Sequence, residues 1–305
     1  MEHPETHYAD DSWFQAVGLS ALVVGSFTAS GLGETKPILF SLFALALVAG
    51  HWLGKALRTW QQLTRETKPI RVSKSLRDLE ETVNKESLAK DRQRNIQTLI
   101  TAGSASLVLG IPVTLVVLNY DAVACGSLLL VSLLCFLRRY TIPSSVNSVL
   151  CHSAVSIIIL PLTALLGVYS QIENISSPTA ILGFVPGSFL AASVVAKFTT
   201  LLESLGWTRK LIVQKRGLDK VRPGRIMQLY SVLLLTGPIS VFVAVPAGLL
   251  PPSLMIGIMP LIWATKVASG FSEGTLSANQ TAERTTRLAL VSSGLMLVAG
   301  YLARG

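Results

Sequence analysis

An all-α integral membrane bundle of nine transmembrane helices is the fold class that this sequence predicts. Three observations lead there. Half of the 305 residues are hydrophobic and only 14% are charged, too little charge for a soluble chain of this size to cover its surface. The mean hydropathy is +0.54. The apolar residues fall in blocks of about 20, the length of a helix that crosses a bilayer. Barrel strands would alternate with period two instead. A soluble enzyme, a secreted disulfide scaffold and a disordered tail are excluded on the same grounds.

The nine apolar segments run over residues 13–33, 37–57, 96–118, 121–137, 146–168, 178–197, 226–245, 247–266 and 287–302. Very tight connections join the third to the fourth and the seventh to the eighth. Pro112, Pro161, Pro186, Pro238 and Pro260 fall inside spans, where neighbouring helices must satisfy the carbonyls that proline frees. An acidic tail, 1–12, precedes a single transmembrane domain, 13–305. The tail lacks the basic region of a secretory signal, so the first span is expected to be retained.

Charge sets the expected orientation. Residues 55–94 hold eleven lysines and arginines and residues 209–225 hold seven, whereas 119–121, 169–177 and 246–251 hold none. Arg138 and Arg139 mark the fourth connection, and Lys266, Arg284 and Arg287 the eighth. The positive-inside rule therefore places the even-numbered loops, the two large inner loops 58–94 and 198–225, and the N-terminus on the cytoplasmic side or its organellar equivalent. The net charge of +9 reads as a topology signal, and no nucleic-acid partner is expected. Three cysteines, Cys125, Cys135 and Cys151, lie in or beside apolar segments and read as buried apolar side chains. Asn174-Ile-Ser176 matches a glycosylation acceptor by chance. His51 and His152 read as helix-packing residues, Trp52, Trp60, Trp207 and Trp263 as interfacial anchors, and Asp78 to Arg94 as a solvated helix.

Loops as long as 58–94 and 198–225 are usually functional in a compact bundle. Around them lie local patterns: Lys68-Pro-Ile-Arg71, Tyr140-Thr-Ile-Pro143, Gly167-Val-Tyr-Ser-Gln171, Ser177, Ala180-Ile-Leu, and Pro186 followed by Phe189-Leu-Ala-Ala192. Leu249-Leu-Pro-Pro252, Pro260, Ala278-Asn279, Thr281-Ala282, Arg287-Leu288 and Gly294 follow near the end. In order and spacing, over about residues 15–302, they resemble the UbiA superfamily of intramembrane prenyltransferases. The nearest branch is the one that prenylates 1,4-dihydroxy-2-naphthoate in menaquinone synthesis. The resemblance implies a nine-helix UbiA-like bundle in which two aspartate-rich motifs hold magnesium against a diphosphate leaving group.

At the matching positions this sequence departs from the family. The first motif falls on Lys55, Arg58, Thr59 and Gln62, and the second on Lys197, Thr200 and Ser204. Glu66 and Glu203 are the carboxylates nearest to them. Ammonium and guanidinium groups donate hydrogen bonds and cannot ligate a cation, so no metal and no cofactor is expected. Lys55, Arg58, Thr59 and Gln62 recur at i, i+3, i+4 and i+7, one face of a helix, and Lys197, Thr200 and Ser204 make a comparable row. Such rows suit a phosphate, a carboxylate or an anionic lipid headgroup; equally, lysines and arginines near span ends snorkel to the interface. Lys68, Arg71, Arg209 and Lys210 are further phosphate-binding candidates. No residue is assigned a catalytic role.

The expected function is that of a non-catalytic or repurposed prenyltransferase homologue, a pseudoenzyme. It would bind an isoprenoid, quinone, pigment or anionic lipid within the bilayer, perform no confident chemistry, and serve as a subunit of a larger membrane complex. The alternative is an active enzyme that moves a polyprenyl group from a prenyl diphosphate to an aromatic acceptor, with magnesium or with cations in its place. A transporter is the third reading, although no internal repeat is evident. The expected location is a bacterial inner membrane or a thylakoid or other organellar membrane.

Overall fold

The computed structural model describes residues 16–23, 36–65, 76–140, 146–172, 180–204 and 223–302, and among them there is no strand. Residues 16–23 form α1. The other helices are α2 (Pro37–Arg65), α3 (Leu76–Val117), α4 (Ala122–Tyr140), α5 (Val146–Ile172), α6 (Ala180–Ser204), α7 (Pro223–Ala244), α8 (Leu261–Ser272) and α9 (Ala278–Leu302); a 3-10 helix, Pro252–Ile258, precedes α8. Six stretches are long and apolar enough to cross a membrane: Pro37–Gln61, Arg92–Val117, Ala122–Tyr140, Ser148–Gln171, Ile226–Ala244 and Pro252–Ser272. An all-helical membrane protein results.

Several boundaries differ from the hydropathy reading, each for a physical reason. The stretch 58–94 is mostly helix, because α2 continues to Arg65 and α3 begins at Leu76. The expected span 247–266 is displaced and broken. Pro251 and Pro252 open the 3-10 helix, and Pro260 caps α8, because proline supplies no amide donor to continue a helix. The expected span 287–302 is the latter part of α9, which starts at Ala278. The acidic tail 1–12 lies outside the described residues.

The tight connections are helix-capping motifs. After α3, Tyr120 N–H donates to Leu115 O and Asn119 N–H to Val116 O, the paired bonds of a Schellman cap. Asn119 takes the left-handed conformation, φ 63°, which asparagine tolerates better than most residues. Asp121 Oδ1 then accepts from Val123 N–H at 3.1 Å and starts α4. The same pair of bonds closes the chain after α7, from Leu249 to Ala244 and from Gly248 to Val245, with Gly248 at φ 73°.

The helices pack through small residues, as expected where lipid supplies no hydrophobic drive. Gly50 and Gly54, four apart on α2, let that backbone approach Ser132 O and Phe136 O of α4. Gly183 of α6 sits against Leu160 and Pro161 of α5, and Gly237 of α7 against Phe184 and Val185 of α6. α3 buries Ser104, Val108, Ile111 and Leu115 and exposes Leu99, Leu109, Val113 and Val117. Its apolar face therefore points away from the bundle, where acyl chains would lie.

α6 occupies the centre, packed by α5, α7 and α9. Every residue from Val185 to Ala196 is buried. That position explains why only Gly183–Thr199 of this helix is strongly apolar: a helix wrapped by protein can carry Ser188 and Ser193, whose hydroxyls bond Val185 O and Leu190 O. On the far side, Tyr230 of α7 and Thr285 of α9 share a buried hydrogen bond of 2.8 Å, and Phe271 of α8 meets the Tyr230 ring edge-on at 5.3 Å. Tyr230→Phe is expected to lower stability by about 1 kcal/mol, and Thr285→Val by a similar amount. The double variant should cost less than their sum, as read by thermal unfolding in detergent.

Candidate functional site

The two polar rows fall on helices that follow different neighbours. Lys55 is exposed and its Nζ lies 5.4 Å from the centre of the Trp52 ring, an outward cation–π pair. The Thr59 hydroxyl donates to Lys55 O at 3.0 Å, so it is spent on its own helix. Arg58 and Lys197 are both half-buried, and both are engaged with other groups. Gln62, Thr200 and Ser204 lie on α2 and α6, and their side chains are outside the described ones, as are those of Glu66 and Glu203. Lys68, Arg71, Arg209 and Lys210 also lie outside the described residues. α5 packs against both α2 and α6.

What α2 faces at this end is α4. Gly54 meets Phe136 O and the Arg139 side chain, and the Gln61 amide donates to the Tyr140 hydroxyl. Arg58 stands between Gly54 and Gln61 at i+4 and i−3, on the same face. The resemblance singles out Gln62; its neighbour Gln61 reaches another helix. Phe136 and Tyr140 stack at 5.5 Å and stiffen the end of α4.

The magnesium that the resemblance implies does not fit the first motif. Lys55 and Arg58 offer only N–H donors, and Thr59 and Gln62 bring one hydroxyl and one amide oxygen but no carboxylate, whereas a hard divalent cation needs several oxygen ligands. No metal-dependent step is derived from these residues.

One turn further into the bundle lies a small cavity of about 20 Å³. Gly18 and Leu19 of α1, Leu47, Val48 and His51 of α2, Cys135 of α4, and Ile159 and Thr163 of α5 line it. Its wall is mainly hydrocarbon. Thr163 donates its hydroxyl to Ile159 O at 2.7 Å, which leaves its methyl as the packing surface. His51 is 6% exposed and takes part in polar or electrostatic contact. The volume gives room for about one water molecule, well below the roughly 300–1,000 Å³ of small-molecule sites.

His51, Cys135 and Thr163 were not foreseen as site residues, and His51 was read as packing. A signal existed for His51: Leu47, His51, Gly54 and Arg58 follow one another at i+4, i+7 and i+11, the face that meets α4. For Cys135 and Thr163 the sequence offers none, because only tertiary packing brings α4 and α5 to the same void.

These features define a polytopic, all-helical membrane protein with an internal apolar cavity beneath a basic helix end. No family model matches the chain, and no curated protein or solved structure matches it either.

Proposed function

We propose that this chain is a UbiA-like membrane protein that has exchanged metal-dependent prenyl transfer for ligand binding. It crosses the bilayer nine times, with its N-terminus and its basic connections on the cytoplasmic or equivalent organellar side, in a bacterial inner membrane or a thylakoid or other organellar membrane. It holds an isoprenoid, quinone, pigment or lipid, and acts as a subunit of a larger membrane assembly. One observation carries the reading. An apolar void of about 20 Å³, which would have to open to admit a guest, lies among α1, α2, α4 and α5, one turn from the positions where the resemblance puts magnesium and the sequence puts Lys55, Arg58 and Thr59. Hydrocarbon walls favour an apolar guest, and cations disfavour the metal that would ionise a prenyl diphosphate.

Native mass spectrometry of the gently solubilised protein tests this directly. The expected result is a stoichiometric apolar molecule that leaves on activation, with or without a partner subunit. The same preparation, given labelled prenyl diphosphate, magnesium and an aromatic acceptor, should form no product. Turnover in that mixture would return the chain to the catalysts.

A further inference from the structure

The exposed faces of α8 and α9 change character at the same height. On α8 the exposed Ile262 and Trp263 give way one turn later to Lys266, and on α9 the exposed Gln280, Glu283, Arg284 and Arg287 give way to Val291 and Val298. Ser292 of α9 donates to Gly257 O at 3.1 Å, so α9 runs back along the 3-10 helix and α8 and brings Arg284 about level with Lys266. Each of these two lies six residues from the corner end of its helix, Ala278 and Ser272, about 9 Å at 1.5 Å per residue. α2 repeats the order, with Trp52 exposed and Lys55 one turn beyond it. Tryptophan followed by a cation marks where an outward helix face leaves hydrocarbon for the headgroup layer.

Lys266 lies within Pro252–Ser272, a stretch long and apolar enough to cross a membrane, yet it faces outward, where hydrocarbon cannot solvate an ammonium. Its stem lets the head reach the boundary. The acids of this corner are already engaged. Glu283 is held by Arg287. Glu273 accepts from the Ser269 hydroxyl at 2.7 Å, and it stands seven residues beyond Lys266, about 10 Å along the axis. Among the described residues, Lys266 and Arg284 form no hydrogen bond and no ion pair. Two cations therefore stand open at the edge of an apolar face that is itself uncovered.

We propose that the α8–α9 corner binds an anionic phospholipid, its phosphate held by Lys266 and Arg284 and its acyl chains lying along Ile262, Trp263 and Val291. One molecule then meets both demands: a phosphate accepts from an ammonium and from a guanidinium fork, and the chains attached to it cover the apolar side chains next to them. A soluble anion would leave those side chains bare. A lipid with net negative charge is favoured over a zwitterionic one, whose own ammonium competes for the phosphate. The site stands apart from the apolar void, and neither reading requires the other.

The test uses the full-length protein in neutral detergent, with native mass spectrometry comparing retention of phosphatidylglycerol with that of phosphatidylcholine. Each cation near an anionic surface contributes enough that Lys266→Gln and Arg284→Gln should each lower the wild-type preference about fivefold, and the double variant should bring the two lipids close to parity. Both side chains are exposed, so all three variants should melt as the wild type does. Glu283→Gln should raise the preference, because it releases Arg287 to the lipid. Arg94→Gln removes the same charge from an exposed position on α3 and should leave the ratio nearly unchanged. Equal retention of both lipids by the wild type would overturn the proposal. So would a preference that the double variant keeps, or a loss in Arg94→Gln as large as in Lys266→Gln, which would reduce the effect to overall charge.

Discussion

Gly183→Val is expected to stop the chain from assembling into a monodisperse folded protein. A Cβ at this position would overlap the Leu160 carbonyl and the Pro161 nitrogen, and both are backbone, with no rotamer to yield. α5 cannot recede without breaking its own packing on α2 and α4. Overpacking a rigid seam costs about 1–3 kcal/mol and occasionally more, and two branched methyls against main chain belong at the upper end. Total stabilities are about 5–15 kcal/mol, so the variant should melt far below the wild type in detergent or elute as aggregate. Gly103→Ala and Gly110→Ala are the controls. Their added Cβ meets nothing within 4 Å, and alanine favours a helix over glycine by about 1 kcal/mol. Fluorescence-detected size exclusion with a melting series reads all three. Wild-type melting of Gly183→Val would show that α5 and α6 do not meet as described.

Filling the cavity is the second change of large expected effect. Gly18 lines it, and a Cβ built there finds no atom within 4 Å. Gly18→Leu should therefore begin its side chain without a backbone clash and fill the void, pressing on the side chains around it. The unfolding temperature should change little, because the loss of a helical glycine and the added apolar burial offset the overpacking. The apolar molecule proposed to accompany the wild-type protein should fall at least tenfold in the variant, about 1.4 kcal/mol of binding. Undiminished ligand in a folded Gly18→Leu protein would place the binding site elsewhere.

Local chemistry made much of the fold legible before any coordinates. Spans with unbroken apolar runs, such as Pro37–Gln61 and Ser148–Gln171, announce themselves through transfer energy alone. Asn119 and Gly248 lie in the connections where tight turns are expected. The region after Gly248 was harder. Its leucines and isoleucines carry the hydropathy of one span, while Pro251, Pro252 and Pro260 divide it into 3-10 and α segments. α9 was also foreshortened in the sequence reading. Glu283, Arg284 and Arg287, all exposed, lower the hydropathy of its first turns, while Thr281, Thr285 and Thr286 between them are buried and bond carbonyls one turn back.

The candidate site was legible only in part. The row Lys55, Arg58 and Thr59 follows from helical periodicity, but the sequence cannot say which helix that row meets. It meets α4 through Gly54 and Gln61. Arg138 and Arg139 read as ordinary markers of membrane sidedness, yet both are buried, which charge alone does not report. The cavity was invisible, since a void is a property of how four helices fail to fill space, not of any one of them.

The central place of α6 has a consequence for biogenesis. Its apolar stretch, Gly183–Thr199, falls short of the roughly 20 residues that cross a bilayer, so it depends on its neighbours more than the longer spans do. Its sheath is finished only when α9, the last helix of the chain, has been made. The nascent protein must therefore shelter this segment, by a chaperone or by loose pairing with α5, until synthesis is almost complete. A release factor acting early would leave behind not a smaller bundle but an unsheathed axis, and the quality-control protease should meet it first.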